Sequence, residues 1–514
     1  METELKLLIR PEDAEKLRQH PLLKQYATDA PRQQTLSGIY YDTRDHDLRQ
    51  ADAGLRVRQV NQDWIQTLKA GGSAVAGLYQ RNEWESKVSG PTPDLNALRR
   101  QIDPKSHLAK LIKDLHKRSE LFPAFTTSVQ RTVWDLRLPT GDEVECVIDL
   151  GSIDTKDGTA PVSEFELELK SGDPRQLFEL ALRLQNDVPM QIGGLSKADR
   201  GYGLAKPVAF TAAKARPIRL SADMSIEGAF KTIVLNCLEQ IQSNQAGVTT
   251  HHDTDSLHQM RVGLRRLRSA LAIFEQSIPC PESIQVELQW LGGALGIARD
   301  WDVFYQATLP GLRGMASATD ILQPVLDAVA DKVRTSHEAV AASAGSSRYT
   351  RLVLTLFSWI EGAQWRSDMQ PKIRRRLGRL IADFAGDILK RDQQRLLKRG
   401  RHLQGGDVGA RHRLRIAAKR ARYAAEFFTS LYPGKRVRPY VRSLALLQED
   451  LGGLNDTAVA KKLLRNLEAS HPQLRVEAAF IWGYIACRLE QDHPGLLRHW
   501  KRFKAIAPPH VKGR

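Results

Sequence analysis

Three charged side chains alternate in the segment METELK, at Glu2, Glu4 and Lys6. In a β-strand successive side chains point to opposite faces, so these three would share one face. A strand face in contact with solvent is the simplest interpretation. The alternative is the lining of a binding site, in which carboxylates hold divalent metal ions and the cation contacts an anionic substrate.

The same alternation recurs in later segments, where charged residues share a strand face and the intervening positions are mostly apolar. These sets are Arg56 and Arg58; Arg81, Glu83 and Glu85; and Glu164, Glu166 and Glu168. An ordinary half-buried strand directs its apolar side to the core and its charges to water. At least four such strands with charges of both signs in one small domain predict a closed sheet that directs its charges inward.

A polar tunnel of this kind would have a defined chemistry. Carboxylates on adjacent strands supply the oxygen ligands that Mg²⁺ or Mn²⁺ prefers. Arginine and lysine can neutralise the remaining charge of a polyanion, arginine as a bidentate fork. A divalent metal ion beside a cationic lining is the arrangement used for phosphoryl transfer.

The 514 residues are more than one core ordinarily holds, and the sequence changes character along its length. Residues 1–205 mix short alternating strands with helical patterns, which predicts an antiparallel α+β domain built around a closed β-barrel. Residues 206–220 contain two prolines and no clear period, so we interpret them as a linker. Residues 221–514 are dominated by long amphipathic patterns, which predict an all-α helical bundle.

The positive charge is concentrated in the helical part. Residues 1–205 hold 28 Lys and Arg against 31 Asp and Glu, a net of −3, whereas residues 206–514 hold 48 against 28, a net of +20. An excess of this size suggests an anionic partner for the second part, such as nucleic acid, an acidic membrane or polyphosphate.

An internal repeat lies within this basic part. The segment HQMRVGLRRLR from His258 recurs as HRLRIAAKRAR from His412, and LGIARDWDV from Leu295 recurs as LGGLNDTAV from Leu451. Two elements in the same order at nearly the same offset indicate a duplicated helical bundle.

Each copy of the first element forms a cationic row on one side of a helix. The rows are His258, Arg261, Arg265 and Arg268, and His412, Arg415, Lys419 and Arg422. A solvated face is the alternative, but such a face ordinarily mixes charge signs and these rows contain few acids. The histidines could also be metal ligands, yet neither helix has a second ligand at i+4. We therefore predict that both rows bind an anion.

The rows have no sequence-reading motif for DNA and few aromatic residues for stacking on single-stranded nucleic acid. A repeated cationic surface without base-reading groups suits a linear phosphate polymer. We therefore expect long-chain polyphosphate as the partner of this part and no specific nucleic acid; a nucleic-acid-binding module remains the alternative.

Localisation is predicted from what the sequence lacks. No run of eighteen apolar residues is present, and the charged N-terminus does not resemble a signal peptide. The four cysteines are scattered without a CxxC motif, as expected for thiols in a reducing compartment. We expect a cytoplasmic protein without a membrane partner.

Six motifs in order resemble those of the CYTH domain, the triphosphate tunnel metalloenzyme family. They are ETELK, YYDT from Tyr40, LRVR, TLK from Thr67, NEWE from Asn82 and EFELELK from Glu164. SKADRGYGL, from Ser196, resembles the end of the bacterial triphosphatase branch. The second part resembles a CHAD domain, a duplicated helical module associated with polyphosphate. The tandem order is similar to that of bacterial inorganic triphosphatases.

The resemblance implies a role for particular residues. Metal ligands, for Mg²⁺ or Mn²⁺, would be Glu2, Glu4, Asp149, Glu166 and Glu168. Substrate-binding cations would be Lys6, Arg56, Arg58, Lys69, Arg81, Arg131, Lys197 and Arg200. Some relatives have a lysine that helps to activate water where this chain has Val129, so water activation would fall to a metal ion, with help from Tyr40 or Glu85.

The resemblance implies hydrolysis of inorganic triphosphate to pyrophosphate and phosphate. A class IV adenylate cyclase is the first alternative and a thiamine triphosphatase the second. A cyclase needs a pocket for the base, and no motif in the sequence identifies one.

Overall fold

The computed structural model describes residues 2–60, 62–75, 77–118, 121–205, 211–313, 319–367, 369–405 and 408–509. The chain divides into two compact units. The first unit is Met1–Phe210 with Ser346–Gln364, and the second unit is Thr211–Gly345 with Trp365–Arg514. Residues 206–210 of the predicted linker lie outside the described residues.

Nine strands form one antiparallel sheet in the first unit. They are β1 (Glu2–Leu8), β2 (Arg32–Asp42), β3 (Ala53–Val60), β4 (Asp63–Val75), β5 (Leu78–Val88), β6 (Phe122–Arg137), β7 (Glu143–Thr155), β8 (Gly158–Ser171) and β9 (Gln191–Ile192). The hydrogen-bonded order is β5-β4-β3-β2-β6-β7-β8-β1-β9, and β1 also pairs with β5. That last pairing closes β1 to β8 into an eight-stranded barrel, as predicted.

The helices of the chain are, in order, α1 (Ala14–Arg18), α2 (Pro21–Tyr26), α3 (Asp47–Gln50), α4 (Leu95–Arg99), α5 (His107–Arg118), α6 (Arg175–Leu184), α7 (Lys197–Ala205), α8 (Ile226–Gln242), α9 (Gln245–Thr249), α10 (Thr254–Phe274), α11 (Glu282–Val303), α12 (Pro310–Arg313), α13 (Thr319–Ala344), α14 (Ser347–Glu361), α15 (Pro371–Leu377), α16 (Ile381–Arg399), α17 (Val408–Phe427), α18 (Gly434–Ser470) and α19 (Arg475–Lys504). The second unit has no strand of its own among its described residues, which agrees with the predicted all-α bundle. No described helix is both long and apolar enough to span a bilayer.

Alternation along the barrel strands separates an apolar outer face from a charged interior. Leu55, Val57 and Leu68 on β3 and β4 pack outward against Leu98 of α4 and Ile112 of α5. The helices that interrupt the strands in sequence thus cover the outside of the barrel, and the charged positions are left for its interior.

Helix α14 belongs to the first unit although its sequence lies between helices of the second unit. The ring of Phe357 stacks on that of Phe178 in α6, with 5.4 Å between ring centroids. The side chain of Gln185 donates a hydrogen bond to the carbonyl of Ser347 at 2.8 Å. The sequence pattern gave no indication that this helix completes the first unit.

Candidate active site and basic cluster

The barrel encloses a cavity of about 440 Å³ to which every one of its eight strands contributes a side chain. One lining residue from each strand, in order from β1 to β8, is Glu4, Tyr40, Arg56, Lys69, Glu83, Arg131, Glu145 and Glu166. Helix α7 lies at the cavity with Lys197 and Tyr202. The closed sheet therefore directs its charged side chains into the interior of the barrel.

Thirteen of the fifteen residues predicted for the tunnel line this cavity. They are Glu2, Glu4, Lys6, Tyr40, Arg56, Arg58, Lys69, Arg81, Glu85, Arg131, Glu166, Glu168 and Lys197. Asp149 and Arg200 are not among the lining residues. The alternation that opens the sequence thus places Glu2, Glu4 and Lys6 inside the barrel.

Three carboxylates form a row across adjacent strands of the cavity wall. In the register of the sheet, Glu168 on β8 is paired with Glu4 on β1 and with Glu145 on β7. Like charges directly opposite each other in a sheet repel. Burial raises the pKa of both Glu4 and Glu168, and neighbouring carboxylates act in the same direction. Lys170 offsets part of this repulsion, because its ammonium lies 2.8 Å from Glu168 and 3.4 Å from Glu145. A bound cation would relieve it further.

Glu2 and Glu166 of the wall are also paired with lysines. Glu2 accepts hydrogen bonds from Lys69, at 2.6 Å for the shorter one. Glu166 lies 2.7 Å from the ammonium of Lys6 and 3.0 Å from that of Lys197. Against the effect of burial, these cations hold the pKa of Glu166 well below its usual range, so this carboxylate is ionised.

The oxygen donors suit a divalent cation that also binds substrate. Among the described residues, no group of three or more His, Cys, Asp or Glu side chains is arranged to hold a metal ion by itself. Mg²⁺ is commonly held by one or two carboxylates together with the oxygens of a phosphate substrate. Glu4 and Glu168, which are paired across β1 and β8, supply two carboxylates of that kind, so the residues fit a divalent cation whose coordination the substrate completes.

Arg56 and Arg58 supply positive charge that the wall does not fully neutralise. The Nε of each is buried without a hydrogen-bond partner. The proximity of Arg56, together with burial, lowers the pKa of Arg58 to about 10. Two neighbouring guanidinium groups with buried free donors form a site that an anion would stabilise.

Asp149 does not line the cavity, because Arg131 and Lys197 cover its carboxylate. Its carboxylate is fully buried and accepts hydrogen bonds from Arg131 at 2.8 and 2.7 Å. Lys197 lies 2.9 Å from the same carboxylate. Although burial acts in the opposite direction, these cations lower the pKa of Asp149. With both oxygens engaged, this carboxylate is placed to orient Arg131.

Arg200 is likewise directed away from the cavity. It binds Glu164 at 3.0 Å and the carbonyl of Pro161. Glu164 is fully buried and also accepts a hydrogen bond from Lys197 at 2.6 Å. Arg200 and Glu164 therefore hold Lys197 in its position at the cavity.

The two residues predicted to help activate water both lie in the wall. Glu85 Oε1 accepts hydrogen bonds from the hydroxyl of Thr67 at 2.7 Å and from Arg58 at 3.3 Å. Tyr40 stacks on Phe125 with 4.5 Å between ring centroids. Val129 belongs to the same apolar cluster as Tyr40 and Phe125.

The second unit brings its two predicted cationic rows onto neighbouring helices, α10 and α17. The apolar sides of both helices are buried, as predicted: Met260, Leu264, Leu267, Leu271 and Phe274 on α10, and Leu414, Ala418, Ala421, Ala425 and Phe428 on α17. This packing leaves the side chains of the two cationic rows half-buried or exposed.

The cations of the two rows influence one another across the helices. Burial, followed by the nearby Arg415, Arg265 and Arg261, lowers the pKa of Lys419 to about 7. Burial, followed by Arg299 and Arg265, lowers the pKa of His258 to about 4. We name His258, Arg261, Arg265, Arg299, Arg415 and Lys419 the basic cluster. One cluster thus combines side chains from both repeats.

Two repeat-related aspartates, Asp300 and Asp456, border the basic cluster. Asp300 lies 3.7 Å from Arg261. Burial raises the pKa of Asp300, and Asp456 adds to that effect. Two carboxylates cannot balance the cations of the cluster, and the Nε atoms of Arg265 and Arg415 are buried without a partner.

Three residues of the predicted rows lie apart from this centre. His412 and Arg268 are exposed. Arg422 is paired with Glu426 at 2.7 Å, one helical turn further along α17. Their contribution to anion binding stays a prediction.

The two parts of the sequence match two domain families. A CYTH domain model matches residues 1–202, and a CHAD domain model matches residues 232–465. The chain is a tandem CYTH–CHAD protein. The predicted resemblance and its order along the chain are confirmed.

The relatives match different lengths of the chain. An inorganic triphosphatase of Haemophilus influenzae is 33% identical over 201 residues, which cover 39% of this chain and 54% of that protein. An uncharacterized protein of Mycobacterium tuberculosis is 25% identical over 338 residues, 62% of each chain. The chain thus spans about half to three fifths of the length of these relatives.

The helical fold has a solved counterpart. The crystal structure of the CHAD domain from the plant Ricinus communis is 37% identical and covers 59% of this chain and 100% of that chain, with a TM-score of 0.53. This likeness agrees with the helical CHAD domain predicted for the second part; its internal duplication stays a prediction from the repeat.

Sequence reasoning missed Glu145 in the CYTH domain and Arg299 in the CHAD domain. Glu145 shares a face of β7 with Asp149, and the alternating segment VECVIDL was recognised as a strand, so the signal was available. Arg299 lies in the second repeated segment, beside Asp300. Nothing in the local pattern shows that it approaches His258 from another helix.

Proposed function

We propose that this chain hydrolyses inorganic triphosphate to pyrophosphate and phosphate in its CYTH domain, with Mg²⁺ or Mn²⁺. The observation that carries the proposal is the charged cavity, with a row of carboxylates on β1, β8 and β7 and arginines on β3. The triphosphatase relative supports the same reaction. A narrow interior enclosed by eight strands favours a slim linear polyanion.

The carboxylates would hold the divalent cation. Its ligands would come from Glu2, Glu4, Glu145, Glu166 and Glu168, with substrate oxygens completing its coordination. When bound, the ion supplies Lewis-acid stabilisation of the charge that develops on the phosphoryl oxygens.

The cations bind and orient the substrate. Arg56 and Arg58 present free donors that can bind phosphate oxygens in a bidentate manner. Arg131 is held in place by Asp149 and adds positive charge from β6, which β2 separates from the arginines of β3. These groups stabilise the charge on the leaving pyrophosphate because they are already oriented before the reaction.

Glu85 is the residue that we propose to take a proton from the attacking water. Its known hydrogen bonds, from Thr67 and Arg58, both reach Oε1, so Oε2 is left to accept the proton. Tyr40 is positioned by its stack on Phe125 to orient the water or a phosphate oxygen through its hydroxyl.

The substrate is tested by supplying the purified full chain separately with tripolyphosphate, ATP and thiamine triphosphate, each with Mg²⁺ or Mn²⁺. We expect tripolyphosphate to be hydrolysed with the highest kcat/KM and phosphate and pyrophosphate to form in equal amounts. Preference for ATP with release of cyclic AMP would establish the cyclase alternative. Preference for thiamine triphosphate would establish the thiamine triphosphatase alternative.

We also propose that the CHAD domain binds long-chain polyphosphate through the basic cluster. Two observations support this proposal. The buried Nε atoms of Arg265 and Arg415 lack a partner, and a polyanion could accept their hydrogen bonds. Burial and neighbouring cations lower the pKa of Lys419, and a polyanion would favour its ammonium form. Nucleic acid is the alternative, but the cluster is made of arginine, lysine and histidine and contains no aromatic side chain for stacking on bases.

A competition titration of the full chain with polyphosphate and RNA at matched charge separates these partners. We expect polyphosphate to displace RNA. The joint substitution of Arg261, Arg265, Arg415 and Lys419 by Ala should abolish polyphosphate binding and leave tripolyphosphate hydrolysis intact. Preferential binding of RNA would reverse the assignment of this domain.

A further inference from the structure

A single buried carboxylate joins three segments at one end of the cavity. Asp42, the last residue of β2, is 2% exposed. Its Oδ1 accepts hydrogen bonds from the backbone N–H groups of Thr43 at 2.8 Å and Leu48 at 2.9 Å. Its Oδ2 accepts from the N–H of Arg49 at 3.1 Å and from the hydroxyl of Tyr202 at 2.7 Å. Asp42 therefore fixes α3 and α7 to the end of β2.

The turn that contains α3 is held in an unfavourable backbone conformation. His46, before α3, has a φ of 60°, and Asp52, after it, has a φ of 52°. Residues other than glycine rarely occupy this left-handed region, and such residues persist where the surroundings fix them. The bonds to Asp42 are among the contacts that fix this turn, together with the hydrogen bond from the N–H of Asp47 to the hydroxyl of Thr43 at 3.0 Å.

The turn and α7 together position one more cationic side chain, that of Arg49, at the cavity. The side chain of Arg49 lines the cavity, and its guanidinium lies 5.1 Å from the centroid of the Tyr202 ring. Among the described residues no carboxylate is paired with this guanidinium, whereas Lys6, Lys69 and Lys197 are each paired with a glutamate. Arg49 thus has a fixed position and hydrogen-bond donors available to a ligand.

Tyr202 contacts the guanidinium of Arg49 with its ring and binds Asp42 with its hydroxyl, and its neighbours fix the position of the ring. Gly201 lets α7 approach the barrel, because a Cβ at this position would lie 2.4 Å from the ring of Phe125. Phe125 in turn packs edge-on against Tyr202 with 5.2 Å between ring centroids. Burial, aided by Asp42, raises the pKa of Tyr202, so that its hydroxyl remains a hydrogen-bond donor.

We infer that Arg49 forms a phosphate subsite at the end of the cavity between α3 and α7, with Asp42 and Tyr202 as its positioning residues. The inference rests on the proposed function in that it takes the ligand to be a linear phosphoanhydride. A phosphate group of the bound chain accepts hydrogen bonds from the guanidinium of Arg49, and the Tyr202 ring holds that guanidinium flat.

Binding of tripolyphosphate is measured by isothermal titration calorimetry without divalent metal ion, so that hydrolysis does not interfere. The full chain carries the substitution of Arg261, Arg265, Arg415 and Lys419 by Ala, so that the basic cluster does not contribute. We expect Arg49→Gln to weaken binding at least tenfold and Arg49→Lys to restore part of the loss. Arg44→Gln, an exposed arginine on the same turn that does not line the cavity, should bind as the parent does.

A double-mutant cycle tests the positioning role of Tyr202. Tyr202→Phe keeps the ring and loses the bond to Asp42, so we expect a loss of about threefold. Tyr202→Leu loses the ring as well and should weaken tripolyphosphate binding nearly as much as Arg49→Gln. The double variant Arg49→Gln with Tyr202→Leu should bind only slightly more weakly than either single variant. Full additivity of the two changes overturns the positioning role.

The result separates this inference from the proposed function. If Arg49→Gln binds tripolyphosphate as tightly as the parent, the subsite is wrong even if the chain hydrolyses triphosphate. If binding depends on Arg49 but no triphosphate is hydrolysed when Mg²⁺ or Mn²⁺ is added, the subsite stands and the proposed reaction does not. A parent chain that does not bind tripolyphosphate overturns both. Thermal unfolding of each variant, compared with the parent, shows that the change acts on binding and not on folding.

Discussion

Two carboxylates on β7 share a strand face but have different surroundings. Glu145 lines the cavity opposite Glu168, whereas Asp149 is fully buried and bound by Arg131 through both of its oxygens. The first is available to a cation and the second is not. The same residue type on the same strand thus has a different role according to its partners.

These surroundings predict opposite effects of substitution. Asp149→Ala leaves Arg131 without its buried partner, so we expect the barrel to lose about 3–5 kcal/mol of stability. Glu145→Gln should leave stability nearly unchanged and lower triphosphatase turnover. Hydrogen exchange of the barrel amides reports the stability, and phosphate release reports turnover. Equal stability of both variants would contradict the structural role of Asp149.

The carboxylates of β1 and β8 predict a large effect on the reaction. Glu4→Gln and Glu168→Gln keep the side-chain volume but remove a charged oxygen ligand. A loss of about 3–4 kcal/mol of transition-state stabilisation lowers turnover by roughly 10²–10³. Glu15→Gln, on the exposed side of α1, is the matched control and should retain full activity. Near-normal turnover of Glu4→Gln in a folded chain would mean that this face of β1 does not take part in catalysis.

At the scale of elements, the helices α10 and α17 act together through their cationic sides. The pKa of Lys419 on α17 is lowered to about 7 by burial and by Arg415, Arg265 and Arg261, two of which lie on α10. Charges from separate helices are therefore close enough to change the protonation of a lysine.

This arrangement predicts a pH dependence of polyphosphate binding. In the free protein Lys419 loses its proton as the pH rises through about 7. A bound polyanion favours the ammonium form and raises its pKa, so that binding above pH 7 takes up a proton. Affinity for a long chain should fall between pH 7 and 9 by up to about tenfold per pH unit and should change little below that range. Fluorescence anisotropy over this pH range measures the change.

Lys419→Arg provides the control for this dependence. The guanidinium remains protonated throughout the range, so the affinity of the variant should be nearly independent of pH. A variant that keeps the pH dependence of the parent would assign the proton uptake to another group.

Alternating charge predicted the strands that carry the site. Glu2, Glu4 and Lys6 lie in β1 and the segment EFELELK lies in β8, and both strands direct charges into the barrel. Period and residue type determine which face of a strand is charged. They do not determine which cation reaches which carboxylate across the barrel, and this is why Asp149 and Arg200 were expected in the cavity and Glu145 was not.

At the scale of the whole molecule, the first unit is assembled from two separate parts of the sequence. Helix α14 packs on α6, where Phe178 and Phe357 stack and Arg351 binds Asn186 at 2.9 Å. Local periodicity identified a helix there but not its location, because the apolar side of a helix does not specify its partner.

This assembly predicts the behaviour of a shortened chain. A fragment that ends at residue 210 lacks α14, so the side of α6 that α14 covers would be exposed to water. We expect the fragment to bind a hydrophobic dye, to aggregate and to unfold at a lower temperature than the full chain. A fragment as stable and soluble as the full chain would show that α14 contributes little to the first unit.

The position of β1 in the barrel also governs the order of events during synthesis. Residues 2–8 leave the ribosome before their partners on β5 and β8, which include residues 78–81 and 164–168. At roughly 5–20 residues per second, β1 waits on the order of 10–30 s for β8. Until then the edge that pairs with β8 is unpaired, and the barrel that fully buries Leu5 and Leu7 is not closed. β1, the strand that carries Glu2, Glu4 and Lys6 of the cavity wall, is therefore a segment that a chaperone could protect in the nascent chain.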